Sequence, residues 1–237
     1  MPHCQLTLSA NAGISLELSA FRLWSDVLHD QQVPGFSTVT PALLASIRAN
    51  EHFARPDLIF YTHCHPDHYS RRLTEQARGL WPLAGLILPE QEFEDQLLLS
   101  GKRCRVALPG LNLEFGRLTH EGEQYAAVPH YGCILDQDGF RVLIAGDCAV
   151  ASPELAELAG DVPVDLAILN FPWATLRRGR EFLRQSLRPT HLVLCHLPFA
   201  EDNRWGYREA AARAAELLPD VPDIRILQDP LQTEVIA

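Results

Sequence analysis

Asp57-Leu58-Ile59-Phe60-Tyr61 runs directly into Thr62-His63-Cys64-His65-Pro66-Asp67-His68. The first five residues are nearly all apolar and bounded by polar neighbours, the pattern of a buried strand. The next seven place three imidazoles and a carboxylate within one short loop. Neutral imidazole and carboxylate are the donors that Zn²⁺ and similar cations take. On an extended chain His63 and His65 point to the same side. Pro66 stops the strand and sets the next bend, so Asp67 and His68 open the following segment after the chain has turned. One loop can thus serve two neighbouring cations. A chance group of polar loop residues would account for a lone His-x-His, but not readily for this full set at a strand end.

Two cations need further donors, and later strand ends offer them. His130 follows the run Gln124–Val128, Asp147 follows the strand Phe140–Ala145, and His196 follows the strand His191–Cys195. Taken singly, each is more often a turn or packing residue. His191 competes with His196, but at about 3.3 Å per residue it lies roughly 16 Å away at the other end of the strand. His3, His29, His52 and His120 have no partner spacing. Of these, His29 is the one placed to line a cleft, after the strand Phe21–Asp26. Cys64, Cys148 and Cys195 each neighbour a candidate ligand and so face the opposite way in extended chain. With Cys133 they read as small buried hydrophobes.

Around these landmarks the chain alternates between strands and helices. Short strands are expected at Gln5–Ser9, Ile14–Leu18 and Phe21–Asp26, then a Pro/Gly/Ser loop at Gln31–Thr40. Helices are expected at Ala42–Asn50, Tyr69–Arg78 and Glu90–Leu98, with a strand at Gly85–Leu88. A β-rich middle follows, at Arg105–Leu108, Leu111–Thr119, Gln124–Val128, Cys133–Leu135 and Phe140–Ala145, with a hairpin turn at Gln137-Asp138-Gly139. The last part alternates as strand Val164–Asn170, helix Arg177–Leu187, strand His191–Cys195, helix Tyr207–Leu218 and strand Ile224–Leu227. Two packed sheets covered by helices, in a single domain over residues 1–237, fit this order.

Composition narrows the partners. The 237 residues are 47% hydrophobic and 21% charged, which marks a globular chain with a real core. Twenty Lys+Arg against 30 Asp+Glu leave a net charge of −10, which disfavours nucleic acid and anionic membrane as partners. Met1-Pro2-His3-Cys4-Gln5 has no basic leader region, and no apolar run approaches the roughly 20 residues that span a bilayer. A cytoplasmic location is expected, with the six cysteines reduced. Arg177, Arg178, Arg180, Arg184 and Arg188 form a basic cluster, and Arg71 and Arg72 follow the histidine loop. A phosphate or carboxylate on a small-molecule substrate could pair with one of these, although a solvated helix face is the commoner fate of such residues. Trp173, after a strand end in Phe171-Pro172-Trp173, is the expected wall of the cleft.

The ordered set of His-x-His-x-Asp-His, a single His, Gly146-Asp147 and a late strand-end His resembles the metallo-β-lactamase superfamily. The likeness runs from His63 to His196, with a family-like strand end at Trp24-Ser25-Asp26. It implies a four-layer αββα sandwich of two mixed sheets and a dinuclear metal hydrolase. It assigns His63, His65 and His130 to one cation and Asp67, His68 and His196 to the other, with Asp147 bridging and Asp26 supporting the ligand histidines. Two divalent ions are implied, zinc first, with manganese or iron as alternatives. Asp67 and Asp147 would be the catalytic carboxylates, and the substrate a lactone, ester or phosphodiester. Members that use di-iron for redox chemistry commonly place Glu in the motif, and true β-lactamases carry Cys where Asp147 stands. The compact length and the wording of residues 62–68 look most like the hydrolases related to ascorbate-6-phosphate lactonase. An iron-dependent redox or oxygenase protein and a non-catalytic metal sensor are the alternatives.

Overall fold

The computed structural model describes residues 3–236. Met1 and Pro2, the first two residues of the start read above for a leader, lie outside them. The chain forms two compact units, each built on one seven-stranded mixed sheet.

Among the described residues the first unit comprises 3–98, His196–Gly206 and 227–236. Its sheet runs in the order Thr233–Ile236, Cys4–Leu8, Ile14–Leu18, Phe21–Ser25, Leu58–Phe60, Gly85–Leu88 and Leu97–Leu98. The first four strands pair antiparallel and the remaining pairings are parallel. In the antiparallel part Leu6 lies opposite Leu16, and Leu16 opposite Leu23, so leucines stack across three strands on one face. Two helices follow sequence signals closely. Pro41–Ala49 begins after Thr40, whose hydroxyl accepts from Leu43 N, with Pro41 at the first helical position. Arg71–Leu80 begins after Ser70, which accepts from Leu73 N in the same way. That helix buries Leu73, Thr74 and Ala77, one face at helical spacing. The Thr74 hydroxyl donates to Ser70 O and accepts from Tyr61 OH at 2.6 Å, which ties the helix to the end of the strand before the histidine loop.

The second unit comprises Leu99–Cys195 and Tyr207–Ile226. Its sheet order is Asp223–Ile226, His191–Cys195, Leu166–Asn170, Phe140–Ile144, Tyr131–Gln137, Leu111–Arg117 and Arg103–Leu108. The first three pairings are parallel and the last three antiparallel. Leu166–Asn170 and His191–Cys195 are buried along their whole length, as parallel strands covered on both faces must be. Asp138 and Gly139, both at positive φ (52° and 86°), make the tight hairpin turn expected there. An apolar cluster that includes Leu155, Leu158, Trp173, Leu183 and Leu187 packs helices against this sheet.

Several elements differ from the sequence reading. Glu90–Leu98 is not a helix. The Gln96 side chain accepts from Glu92 N and Phe93 N and donates to Glu90 O, so a loop closes around it, and Leu97–Leu98 joins the sheet. Gln124–Val128 is not a strand. Gly122 at φ +94° starts a 3-10 turn, Glu123–Tyr125, with bonds of i to i+3 type continuing to Val128. The helix expected at Arg177–Leu187 is present as an α-helix, Arg177–Phe182, passing into a π turn, Leu183–Leu187, and a short helix not expected from the sequence, Pro172–Thr175, precedes it. The helix Pro153–Ala159 and the strand Thr233–Ile236 were not anticipated.

Candidate metal centre

The histidine loop is held by one buried carboxylate. Asp26 follows the strand Phe21–Ser25 in a left-handed conformation, φ 53°, and its amide donates to Phe60 O at 3.0 Å. Its carboxylate, in a residue 1% exposed, accepts from Thr62 N at 2.8 Å, from the Thr62 hydroxyl at 2.7 Å and from His68 Nδ1 at 3.0 Å. These bonds decide two tautomers. His68 carries its proton on Nδ1, so Nε2 presents a lone pair. The single hydroxyl proton of Thr62 goes to Asp26, so the Thr62 oxygen accepts from His63 Nδ1, 3.0 Å away. His63 therefore also carries its proton on Nδ1 rather than Nε2. Asp26 thus hydrogen-bonds His68 directly and reaches His63 through the Thr62 hydroxyl.

His68 Nε2 meets His196 Nε2 at 3.1 Å, and the latter lies 3.5 Å from an Asp67 carboxylate oxygen. Donor atoms of Asp67, His68 and His196 all fall within 4.8 Å of one another. A tetrahedral ion with ligands at about 2.0–2.1 Å separates its donors by roughly 3.3–3.4 Å, so the two short distances bracket the edge of such a site. Two imidazoles and a carboxylate at these separations are a donor set suited to a divalent cation. His63 packs against His68, with ring centroids 4.1 Å apart, and His65 meets His63 edge-on at 4.6 Å. His196 sits at φ 59°, its amide donating to Asn11 O at 2.8 Å. That bond turns the chain at the point where the strand His191–Cys195 ends. The first unit thus brings together His63, His65, Asp67, His68 and His196.

His29 is fully buried, so it does not wall an open cleft. Its Nδ1 has no hydrogen-bond partner. Burial first, then the nearby His68, pushes its pKa down to about 4, so the ring is neutral at neutral pH. Cys64 faces away from the ligands, lining a cavity of about 560 Å³ with Asp30, Pro66, Tyr69, Arg71 and Arg72. Burial, and then Glu90 and Glu92, raise its thiol well above the ordinary range, which keeps it out of thiolate chemistry. Burial likewise pushes Cys148 up to about 12 and raises Cys133.

In the second unit the donor beside Asp147 is His120, which the sequence reading set aside. His120 Nδ1 donates to Glu121 O at 2.8 Å, which leaves Nε2 as the lone-pair nitrogen, 3.9 Å from Asp147 Oδ2. An antiparallel bridge from His120 to Cys148 and a bond from Glu121 N to Asp147 O fix this pair. His130 is fully buried and packs edge-on against His120, centroids 5.5 Å apart. Among the described residues it joins none of the donor groups within 4.8 Å. The misread segment explains the choice. With Gln124–Val128 a turn, His130 stands before a strand and His120 is the histidine that follows one. The signal was the strand-end position of His120 after Leu111–Arg117.

Trp173 does not wall a cleft. The short helix Pro172–Thr175 turns its indole into the apolar cluster of the second unit, where it is fully buried and meets Phe182 edge-on at 5.5 Å. The arginine cluster is engaged within its own unit. Arg177 pairs with Glu181, Arg178 with Glu121 and Arg184 with Asp220, while Arg180 and Arg188 donate to backbone carbonyls. Arg71 pairs with Glu92 and Arg72 with Asp30. No helix among the described residues is long and apolar enough to cross a membrane.

No family model matches the sequence, and no curated protein is similar to it. Solved structures are. Igni18, a metallo hydrolase from the archaeon Ignicoccus hospitalis, superposes with a TM-score of 0.68 at 18% identity, covering 99% of each chain. The metallo-beta-lactamase fold protein YhfI from Bacillus subtilis gives 0.62 at 12% identity, covering 100% of both. CmlA, a diiron beta-hydroxylase from Streptomyces venezuelae, gives 0.64 at 16% identity over all of this chain, which spans 54% of CmlA. The chain therefore has the metallo-beta-lactamase fold, as its two mixed sheets and their helices indicate.

Proposed function

We propose that the chain is a metal-dependent hydrolase of a small-molecule lactone, ester or phosphodiester. The observation that carries this reading is the triangle of Asp67, His68 and His196, with its 3.1 and 3.5 Å donor separations and a His68 tautomer set by buried Asp26. The proposed ligands are His63, His65, Asp67, His68 and His196 in the first unit, and Asp147 with His120 in the second. His120 takes the place the sequence reading gave to His130. Two divalent ions, zinc first, are the proposed complement. Bound there, they would supply Lewis acidity and a water of lowered pKa.

The protein's own part is positional. Asp26 and Thr62 fix which imidazole nitrogen of His68 and of His63 carries the proton. Asp67 has one oxygen toward His196, and its carboxylate is suited to taking a proton from the attacking water and returning it to the leaving group. Asp147 is the second proposed catalytic carboxylate. No serine or cysteine nucleophile is required, and the raised Cys64 thiol is unsuited to be one. An anionic substrate, drawn by the local positive charge that two divalent cations would supply in an otherwise acidic chain, and a cytoplasmic location remain part of the proposal.

An iron-dependent redox reading has one specific support, the likeness to the diiron CmlA. A panel of lactones, esters and phosphodiesters assayed with and without chelator separates the readings. Turnover that chelator abolishes and zinc or manganese restores is expected. No hydrolysis of any substrate, with iron in the protein, would favour the redox alternative. Metal bound without any turnover would favour a sensor.

A further inference from the structure

Beside His196 the first unit carries two aromatic rings that the metal chemistry does not use. Phe36 lies against the His196 imidazole, centroids 4.3 Å apart, and is only half-buried. One residue earlier, Gly35 has φ +85°, and a Cβ there would fall 1.8 Å from the Trp205 ring. The indole therefore sits directly on the Gly35 backbone, which only glycine permits. Trp205 is nonetheless 57% exposed. Gly35 and Phe36 are consecutive, so the residue that seats the indole directly precedes the one that bears the phenyl ring, and Trp205 belongs to the same His196–Gly206 segment as His196.

This arrangement is fixed by buried polar bonds. Asn11 Nδ2 donates to Ser37 O at 2.7 Å, and Ser37 N returns a bond to Asn11 Oδ1 at 2.9 Å. The Ser37 hydroxyl donates to Asp202 at 2.8 Å and accepts from Phe199 N at 2.8 Å. Asn11 O also accepts the amide of His196. One asparagine and one serine thus clamp the Gly35-Phe36 turn to the His196–Gly206 segment. An exposed indole seated on Gly35, one residue before the phenyl ring that lies against His196, offers a surface for a flat apolar group. The arginines that sequence pointed to as anion partners are already engaged, so substrate selection falls to these rings.

We propose that Phe36 and Trp205 form an aromatic ledge that selects substrates with an aryl or similarly flat apolar group next to the scissile bond. The proposal rests on the metal-hydrolase reading for the orientation of that bond, but binding tests it separately. Zinc-loaded protein is titrated calorimetrically with phenylphosphonate and with methylphosphonate, which share the metal-seeking group. Phenylphosphonate is expected to bind tighter by roughly two- to twelvefold, the span of one aromatic contact. Phe36→Ala and Trp205→Ala are each expected to lose that preference, and Trp205→Phe to keep most of it. Equal affinities in the parent, no binding of either probe, or a preference that survives both alanine variants would overturn the ledge. If the preference holds while phenyl and methyl esters are both left unhydrolysed, the ledge stands and the hydrolase reading fails.

Discussion

Replacing Asp26 by Asn changes one atom type in the support of the metal centre. The backbone is at φ 53°, a conformation Asn accepts as readily as Asp, so the substitution adds no strain there. The carboxylate accepts three hydrogen bonds, from Thr62 N, the Thr62 hydroxyl and His68 Nδ1. An amide can accept on one side only. With its oxygen toward Thr62 N, its NH₂ faces Thr62 Oγ1 and His68 Nδ1. The Thr62 hydroxyl must then accept from the amide and donate to His63 Nδ1, and His68 Nδ1 must become an acceptor. Both histidines are driven to carry their proton on Nε2, the atom each would offer a metal. Loss of such support costs about 10- to 100-fold in metal affinity, or about 1.4–2.8 kcal/mol. The opposite amide orientation sets NH₂ against the buried Thr62 N–H and costs about 1–3 kcal/mol of stability in its place. The assay is zinc affinity by competition with a chromophoric chelator, alongside urea unfolding of the metal-free protein. Zinc affinity within twofold of the parent, together with unchanged stability, would refute the tautomer argument.

Three further outcomes are expected. His120→Ala should lower metal affinity at least about tenfold, whereas His130→Ala should lower stability with metal content retained; the reverse pattern in a competition titration would restore His130 as the ligand. Trp173→Ala should destabilise the chain by about 3–5 kcal/mol through a core cavity while leaving zinc affinity near the parent's, and a variant that instead altered substrate KM at full stability would put Trp173 in the cleft. Burial alone would raise the Asp223 carboxyl, but bonds from His191 and then Arg225 hold it below the usual range. A depressed carboxylate stabilises above its unfolded pKa, about 3.9, and that contribution is lost as pH falls through the folded value. Asp223→Asn should therefore cost up to about 1 kcal/mol at pH 7 and nothing below that window; a loss equal at pH 7 and pH 2.5 in unfolding titrations would contradict the ion pairing.

The parts of the fold legible in the sequence are those where local chemistry and tertiary context agree. Ile14–Leu18 and His191–Cys195 were read to the residue, one from alternation and the other from a continuous apolar run. Thr40-Pro41 announced a helix start through a hydroxyl cap that the structure contains, whereas the helix expected from Tyr69 begins two residues later, after its Ser70 cap. Ser152-Pro153 carries the same signal for Pro153–Ala159 and was passed over. Glu90–Leu98 has helical composition, but the side chain of Gln96 provides bonds that compete with the helix, something no periodicity reveals. The histidine loop was legible because its donors are adjacent in sequence, and Asp26 because it ends a strand. His120 was not, because its worth as a donor depends on Asp147, 27 residues later, closing on it at 3.9 Å. Trp173 failed for a related reason: a residue after a strand end can turn inward as easily as outward, and the helix at Pro172 decides which.

The central claim is that these histidines and carboxylates hold metal for hydrolysis, and the most direct test is elemental analysis of the protein purified without chelator. The account predicts about two zinc or manganese ions per chain, falling sharply in a His68→Ala, His196→Ala double variant. A metal-free chain that takes up no zinc, or a single iron with a redox-active absorption spectrum, would contradict it.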